Sequence, residues 1–308
     1  MSSNIVKKLT AAELDTGLKG KNILLVGGTA GIGKGLAIVA LRHGATVTVV
    51  GRRQPEDEAM RGAGFIKKDL SLMKNVVDLV KNEIDAGSLD AIVFTNGIWA
   101  KPVREETAEG IEATMAISAL SRVVFLRTLL EKEALGSRRD HPLHKPRIFI
   151  MGRPGKPAVP VDVDDFNSER SYGDWTTMRK TVVTNEALVM QMAKEYAGAA
   201  NVYGLDPGPV MTDLWDNILG GAGTWRATVL KTVASWFVAT PLWFAENVLI
   251  HLLASPELEE KSGAIIDPKR RIIPNNPFLT KQENYDSVLA EATRLVDRAL
   301  AHSSTGDS

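Results

Sequence analysis

The chain has 308 residues, 44% of them hydrophobic, enough for one large α/β domain of roughly 250 residues with short extensions. Its 37 basic and 37 acidic residues cancel, which argues against nucleic acid or an acidic membrane surface as partner and for a small ligand. Without cysteine there is no disulfide, thiolate chemistry or soft-ligand zinc site, and the five histidines show no metal-ligand spacing, so no metal is expected.

Residues 1–20, MSSNIVKKLTAAELDTGLKG, hold no continuous apolar run and read as an N-terminal extension. No later run reaches the roughly 20 apolar residues of a transmembrane segment, so a cytoplasmic protein is expected. From Lys21 onward strand-like and helix-like stretches alternate: NILLVGG, IGKGLAIVALRHG, ATVTVVG, a polar turn RRQPEDE, GFIKKD and MKNVVDLVKNEIDAG. LDAIVFTNG follows, then a helical stretch from Thr107 to Leu135, the strand PRIFIMG, and a Pro-rich loop through MGRPGKPAVPVDVDDFNSERS. A helix from about Asp174 to Tyr196, ANVYGLDPG and SGAIIDP complete the alternation. Continuous apolar strands between amphipathic helices predict a single α/β domain over residues 21–274, a doubly wound parallel sheet of about seven strands. Residues 275–308 are expected to form a C-terminal helix and a disordered tail, AHSSTGDS.

LLVGGTAGIGKGLAIVALRHGA places Gly27, Gly31 and Gly33 between an apolar strand and an amphipathic helix. The first glycine permits the tight turn, the second lets backbone approach a pyrophosphate, and the third lets helix and strand pack closely, with phosphate on the helix N-terminus. The spacing is the wider GxxxGIG form. With KDL at Lys68–Leu70, FTNGI at Phe94–Ile98 and DPGPVMTD at Asp206–Asp213, the chain resembles the short-chain dehydrogenase/reductase family over about Lys21 to Pro274, nearest to divergent fungal-type members. The resemblance implies a Rossmann-type sheet and a nicotinamide cofactor. It assigns Gly27, Thr29, Gly31, Ile32 and Gly33 to the phosphate turn and Asp69 and Leu70 to the adenine. It puts Asn96 and Gly97 beneath the adenosine ribose, and Pro207, Gly208, Val210 and Thr212 on the nicotinamide side. Asp69 can equally serve a helix N-terminus.

The second strand ends VTVVGRR. Gly51 removes the acid that would bind a ribose 2′-hydroxyl, while Arg52 and Arg53 offer guanidinium groups to a 2′-phosphate, so NADP(H) is the expected cofactor.

Carbonyl reduction by the family's route needs a Tyr acid, a Lys one helical turn later, a Ser hydroxyl and an Asn. Alignment puts Gly152 and Arg153 at the Ser site, Ser118 at Asn, Met178 at Tyr and Val182 at Lys. Tyr172 and Lys180 are the substitutes available for catalysis, eight residues apart, with Tyr172 ahead of the helix. Three readings stay open. The first is an oxidoreductase acting on an activated substrate, an iminium or conjugated system of the kind common in secondary metabolism. The second is a cofactor-retaining enzyme of cyclisation or cycloaddition, and the third is a non-enzymatic NADP(H) sensor.

Residues 212–245 correspond to the family's substrate lid and carry Trp215, Trp225, Trp236, Phe237, Trp243 and Phe244, which suggests a flat, apolar, polycyclic substrate. Gly220–Gly223 would hinge it. By resemblance the two long helices form a homodimer or homotetramer interface.

Overall fold

In the computed structural model the structure describes residues 4–132, 135, 137, 145–155, 161–210 and 239–305. Seven parallel strands form one sheet: β1 (Asn22–Val26), β2 (Thr46–Gly51), β3 (Gly64–Lys67), β4 (Ala91–Phe94), β5 (Arg147–Met151), β6 (Asn201–Leu205) and β7 (Ile265–Ile266). An antiparallel eighth, β8 (Ile272–Ile273), closes the edge, and the order is β3-β2-β1-β4-β5-β6-β7-β8. The expected Rossmann-type architecture is present, with one strand more than the seven predicted. The order in which strands are added reverses between β1 and β4, whose parallel registers run together to Val26 and Phe94. A switch point of this kind opens a crevice at the C-terminal strand ends.

The central strands are mainly apolar because both faces are covered, while polar residues such as Thr46, Lys67, Arg147 and Asn201 stand at strand ends. Leu24, Val26, Ile92, Phe94, Ile148 and Ile150 pack into one core layer, and their neighbours Ile23, Leu25, Val93, Phe149 and Met151 into the other. Helices α1 (Ala11–Leu18) and α2 (Gly31–Arg42) contribute to the second layer. α3 (Met73–Asp78), α4 (Ala113–Met115) and α5 (Ser121–Glu131) contribute to the first, as does α6 (Asp174–Glu195). α7 (Pro241–Phe244) and α8 (Ile250–Ala254) return to the second, and α9 (Gln282–Thr305) to the first. Between α4 and α5 the helix widens into a π turn, Ala116–Leu120. The stretch 113–131 is long and apolar enough to cross a membrane, but most of it is buried inside the fold, as a core helix should be. The expected start of that helix at Thr107 gives way to a turn in which Gly110 N donates to Thr107 O.

Two extensions are better anchored than the sequence suggests. Thr10 caps α1 reciprocally with Glu13, and Val6 N donates to Arg270 O at 2.9 Å, so the N-terminal segment covers the β8 edge. α9 seats Val288, Ala292, Leu295, Val296 and Ala299 in the core and runs to Thr305, into the stretch expected to be a disordered tail. Because α9 packs on α5 and α6, with Arg127 pairing Asp297 at 3.3 Å, it occupies faces of the two helices expected to form a subunit interface. Their cover comes from within the chain.

Candidate functional site

The glycine turn sits at the switch point. Gly27 has φ 92, and a Cβ there would collide with the backbone of Asn96, so neither the conformation nor the space admits another residue. α2 then starts behind Ala30, whose side chain caps nothing, unlike Thr10 before α1 or Thr240 before α7. Its first-turn amides are left for an external acceptor, the arrangement that a phosphate fits. Thr29, Gly31 and Ile32 are partly exposed at this turn, while Gly33 is buried in contact with β4. At the end of β2, a Cβ on Gly51 would meet Thr29 Cγ2 at 2.5 Å, so a side chain there would have to displace Thr29, and no carboxylate stands at the position that would select a 2′-hydroxyl. Arg52 and Arg53 follow, both exposed. The residues present therefore fit a dinucleotide, and the two guanidinium groups fit its 2′-phosphate form.

The remaining cofactor candidates also fall at C-terminal strand ends, with qualifications. Asp69 is exposed, and its Oδ1 accepts from Ser71 N at 3.0 Å; the N-terminus of α3 is capped instead by Glu109, which accepts from Met73 N and Lys74 N. Leu70 buries its side chain in the core, which leaves only its backbone for an adenine. Asn96 turns its amide inward, donating to Ile117 O at 2.7 Å and Ser121 Oγ at 3.0 Å, so the crevice floor here is backbone and Gly97. Pro207 and Gly208 follow β6, Gly208 with φ 62 and its N–H held by Asp206 at 2.9 Å. Val210 is buried, and Thr212 lies outside the described residues.

On the proton-transfer side the structure separates what the sequence grouped. Met178 and Val182, one turn apart on α6, are partly exposed between the buried Thr177 and Thr181. Lys180 leaves the helix in another direction and is buried, its ammonium donating to Asp165 O and, at 2.9 Å, to Ser168 Oγ. Tyr172 stands before α6 and donates to Lys101 O at 2.6 Å. Burial, reinforced by Glu112, pushes its phenol up to about 12, the wrong direction for an acid working near neutrality. The expected acid pair is thus not assembled: Lys180 anchors the loop ahead of α6 and Tyr172 ties that loop to residue 101. Ser118, at the Asn position, spends its hydroxyl on Ile98, accepting from N at 3.0 Å and donating to O at 3.3 Å. At the Ser position a Cβ on Gly152 would meet Asn185 at 2.9 Å, and Arg153 holds φ 55 with Nε 3.8 Å from Asp206 Oδ1.

One group escaped the sequence reading. Arg122 on α5 is 2% exposed and donates to the carbonyls of Met151 and Asn96, at the ends of β5 and β4, and to Asn185 Oδ1 at 3.0 Å. Burial pulls its guanidinium down to about 9. The available signal was a charge inside ISALSRVVFL, four residues after Ser118 on an otherwise apolar helix. Trp99 and Trp175 meet edge to face at 5.1 Å beside these loops, with Trp175 59% exposed. Of the expected lid, Trp243 is exposed and Phe244 buried, while Trp215, Gly220–Gly223, Trp225, Trp236 and Phe237 lie outside the described residues. No group of three metal-ligating side chains occurs among the described residues.

Comparison with known proteins agrees with this geometry. The short chain dehydrogenase family model matches residues 21–138. An uncharacterised oxidoreductase of Saccharomyces cerevisiae is 32% identical over 285 residues, 92% of this chain and 90% of that protein. Among solved structures, a short-chain dehydrogenase of Shigella flexneri complexed with NADP superposes with TM-score 0.57 at 19% identity, covering 82% of this chain and 98% of that one. The MalC reductase/Diels-Alderase of Malbranchea aurantiaca superposes with TM-score 0.57 at 17% identity, covering 83% and 96%.

Proposed function

Because this chain belongs to the short-chain dehydrogenase/reductase family of oxidoreductases, we propose that it binds NADP(H) and exchanges hydride with an apolar, conjugated or polycyclic small molecule. The observation that carries the cofactor choice is the β2 end, where Gly51 packs against Thr29 in place of an acid and two exposed arginines follow. The amides after Gly27 would hold the pyrophosphate, and Arg52 with Arg53 the 2′-phosphate. The NADP complex of the Shigella relative supports the same choice. When bound, the cofactor supplies or accepts a hydride.

The chain's own residues shape the other partner. Met178 and Val182 offer no proton, so the substrate must arrive activated, as an iminium or conjugated system does, or take its proton from solvent. Trp99 and Trp175, paired edge to face with Trp175 largely exposed, would offer an apolar wall to a flat molecule. A second reading, cyclisation or cycloaddition with the nucleotide as a wall of the pocket, draws support from those two apolar positions and from MalC, a structural neighbour that is both reductase and Diels-Alderase by name.

Titration with NADPH and NADH, followed by NADPH oxidation assays on iminium, enone and simple ketone panels, tests the proposal. It expects NADPH to bind more tightly than NADH and iminium or enone substrates to outrun ketones. A chain that binds neither nucleotide would sink it, and binding without oxidation of any substrate would favour the second reading.

A further inference from the structure

Arg122 is a buried cation whose hydrogen-bond partners are two backbone carbonyls and an amide oxygen, none of them an acid. Among the described residues its Nε has no partner and no carboxylate pairs with it, and burial is the single cause that moves its ionisation, so the group stays charged at neutral pH. Neutral donors can satisfy carbonyls, and burying a charge costs several kcal/mol more than burying such a donor. Holding the two strand ends therefore does not explain the charge.

Its position suggests what does. The guanidinium bridges the ends of β4 and β5, and a Cβ on Gly97 would lie 3.9 Å from Arg122 Nη2, so the cation sits directly under the backbone that floors the crevice. Its partner Asn185 fills the space that a side chain at Gly152 would take. Gly152 stands where the family pattern has the Ser of the reaction centre, so the buried charge lies between the ribose floor at Gly97 and the position where hydride would be exchanged, and its field reaches a ring lying there.

We propose that Arg122 sets the cofactor's preferred redox state: its charge disfavours the cationic nicotinamide of NADP+ and leaves the uncharged ring of NADPH alone, so the chain holds NADPH more tightly. This rests on the NADP(H) reading above. The phosphates are the same in both redox states, so any attraction between Arg122 and phosphate cancels in the ratio of the two affinities. Only the ring, which becomes cationic when it gives up a hydride, is left to report the charge. A site of this kind waits loaded with reductant and sheds the oxidised product, which assigns the chain to the reductive direction.

The test is the ratio of Kd values for NADP+ and NADPH, measured by calorimetry on the full chain and on R122K, R122Q and N185D. The wild type should favour NADPH on the order of tenfold, the size expected for like charges across a protein interior. R122K keeps the charge and should keep the preference; R122Q should bring the ratio near one. N185D retains an oxygen for Arg122 while neutralising it, at the cost of the two hydrogen bonds that Asn185 Nδ2 donates to Ser118 O and Thr181 O, so it should also collapse the ratio; the wild-type ratio itself keeps the test decisive where neither variant folds. A wild-type ratio near one, or a preference that survives in N185D, overturns the inference while leaving NADP(H) binding intact. Failure of the wild type to bind either nucleotide overturns the cofactor reading itself and the inference with it.

Discussion

The family pattern survives at the turn between β1 and α2 and is lost at the α6 positions Met178 and Val182. At the turn the chemistry is done by backbone: Gly27 holds φ 92 against Asn96, and the α2 amides lack a side-chain cap. No side chain can replace what a missing Cβ provides. On α6 the chemistry belongs to side chains, which can be exchanged without disturbing the helix, and Met178 and Val182 occupy partly exposed positions that an acid and a cation would fill equally well. A fold can therefore keep its cofactor cradle while its catalytic set drifts. The cradle is legible because it is geometric.

The strongest way to break this contrast is Gly27→Ala. The added methyl forces φ and clashes with backbone, so stability should fall by about 2–3 kcal/mol and NADPH affinity by on the order of a hundredfold, read by denaturation and calorimetry. If Gly27→Ala binds NADPH as the wild type does, the turn is not a cradle. Next comes R52A with R53A. Loss of charge-assisted contacts should cut the preference for NADPH over NADH by about 10- to 100-fold with folding unchanged. An unaltered preference would return both arginines to the solvated surface.

Acid should expose a weakness on the cofactor side. His251 is 2% exposed, its Nδ1 accepts from Leu9 N at 3.1 Å, and burial pulls it down to about 4 from an ordinary value near 6.5. The folded state thus takes up its proton later than the unfolded chain does. The stability that neutral His251 permits is full above pH 6.5 and drains away as pH falls toward 4, by about 3 kcal/mol. H251F should flatten that slope; a slope unchanged in the variant would assign acid lability elsewhere. The smallest effect is expected from Y172F. It should cost about 1 kcal/mol, for the lost hydrogen bond to Lys101, and leave NADPH affinity alone. A large loss of turnover in Y172F at unchanged stability would restore Tyr172 as an acid.

The same contrast explains what could be read in advance. The seven parallel strands and the Gly27–Gly33 turn announce themselves by apolar runs and glycine spacing. β8 does not, because two isoleucines beside PNN carry no periodicity and pair only through the hairpin with β7 and the N-terminal segment. The polar letters of AHSSTGDS hide a helix end, which the docking of Leu295, Val296 and Ala299 carries forward to Thr305. At the site, Lys180 looked available because its types and spacing suited chemistry; its carbonyl partner comes from a loop fifteen residues away that no pattern announces. Arg122 was missed for the converse reason, since its role depends on two strand ends brought together only by folding.

The most direct measurement is a crystal structure of the chain with NADPH bound, reading which side chains lie within about 4 Å of the nicotinamide C4. The account predicts pyrophosphate on the turn after Gly27, the ring faced by Met178 and Val182, and Tyr172 still bonded to Lys101. A nucleotide seated away from that turn, or a Tyr172 hydroxyl or Lys180 ammonium brought to C4, would contradict it.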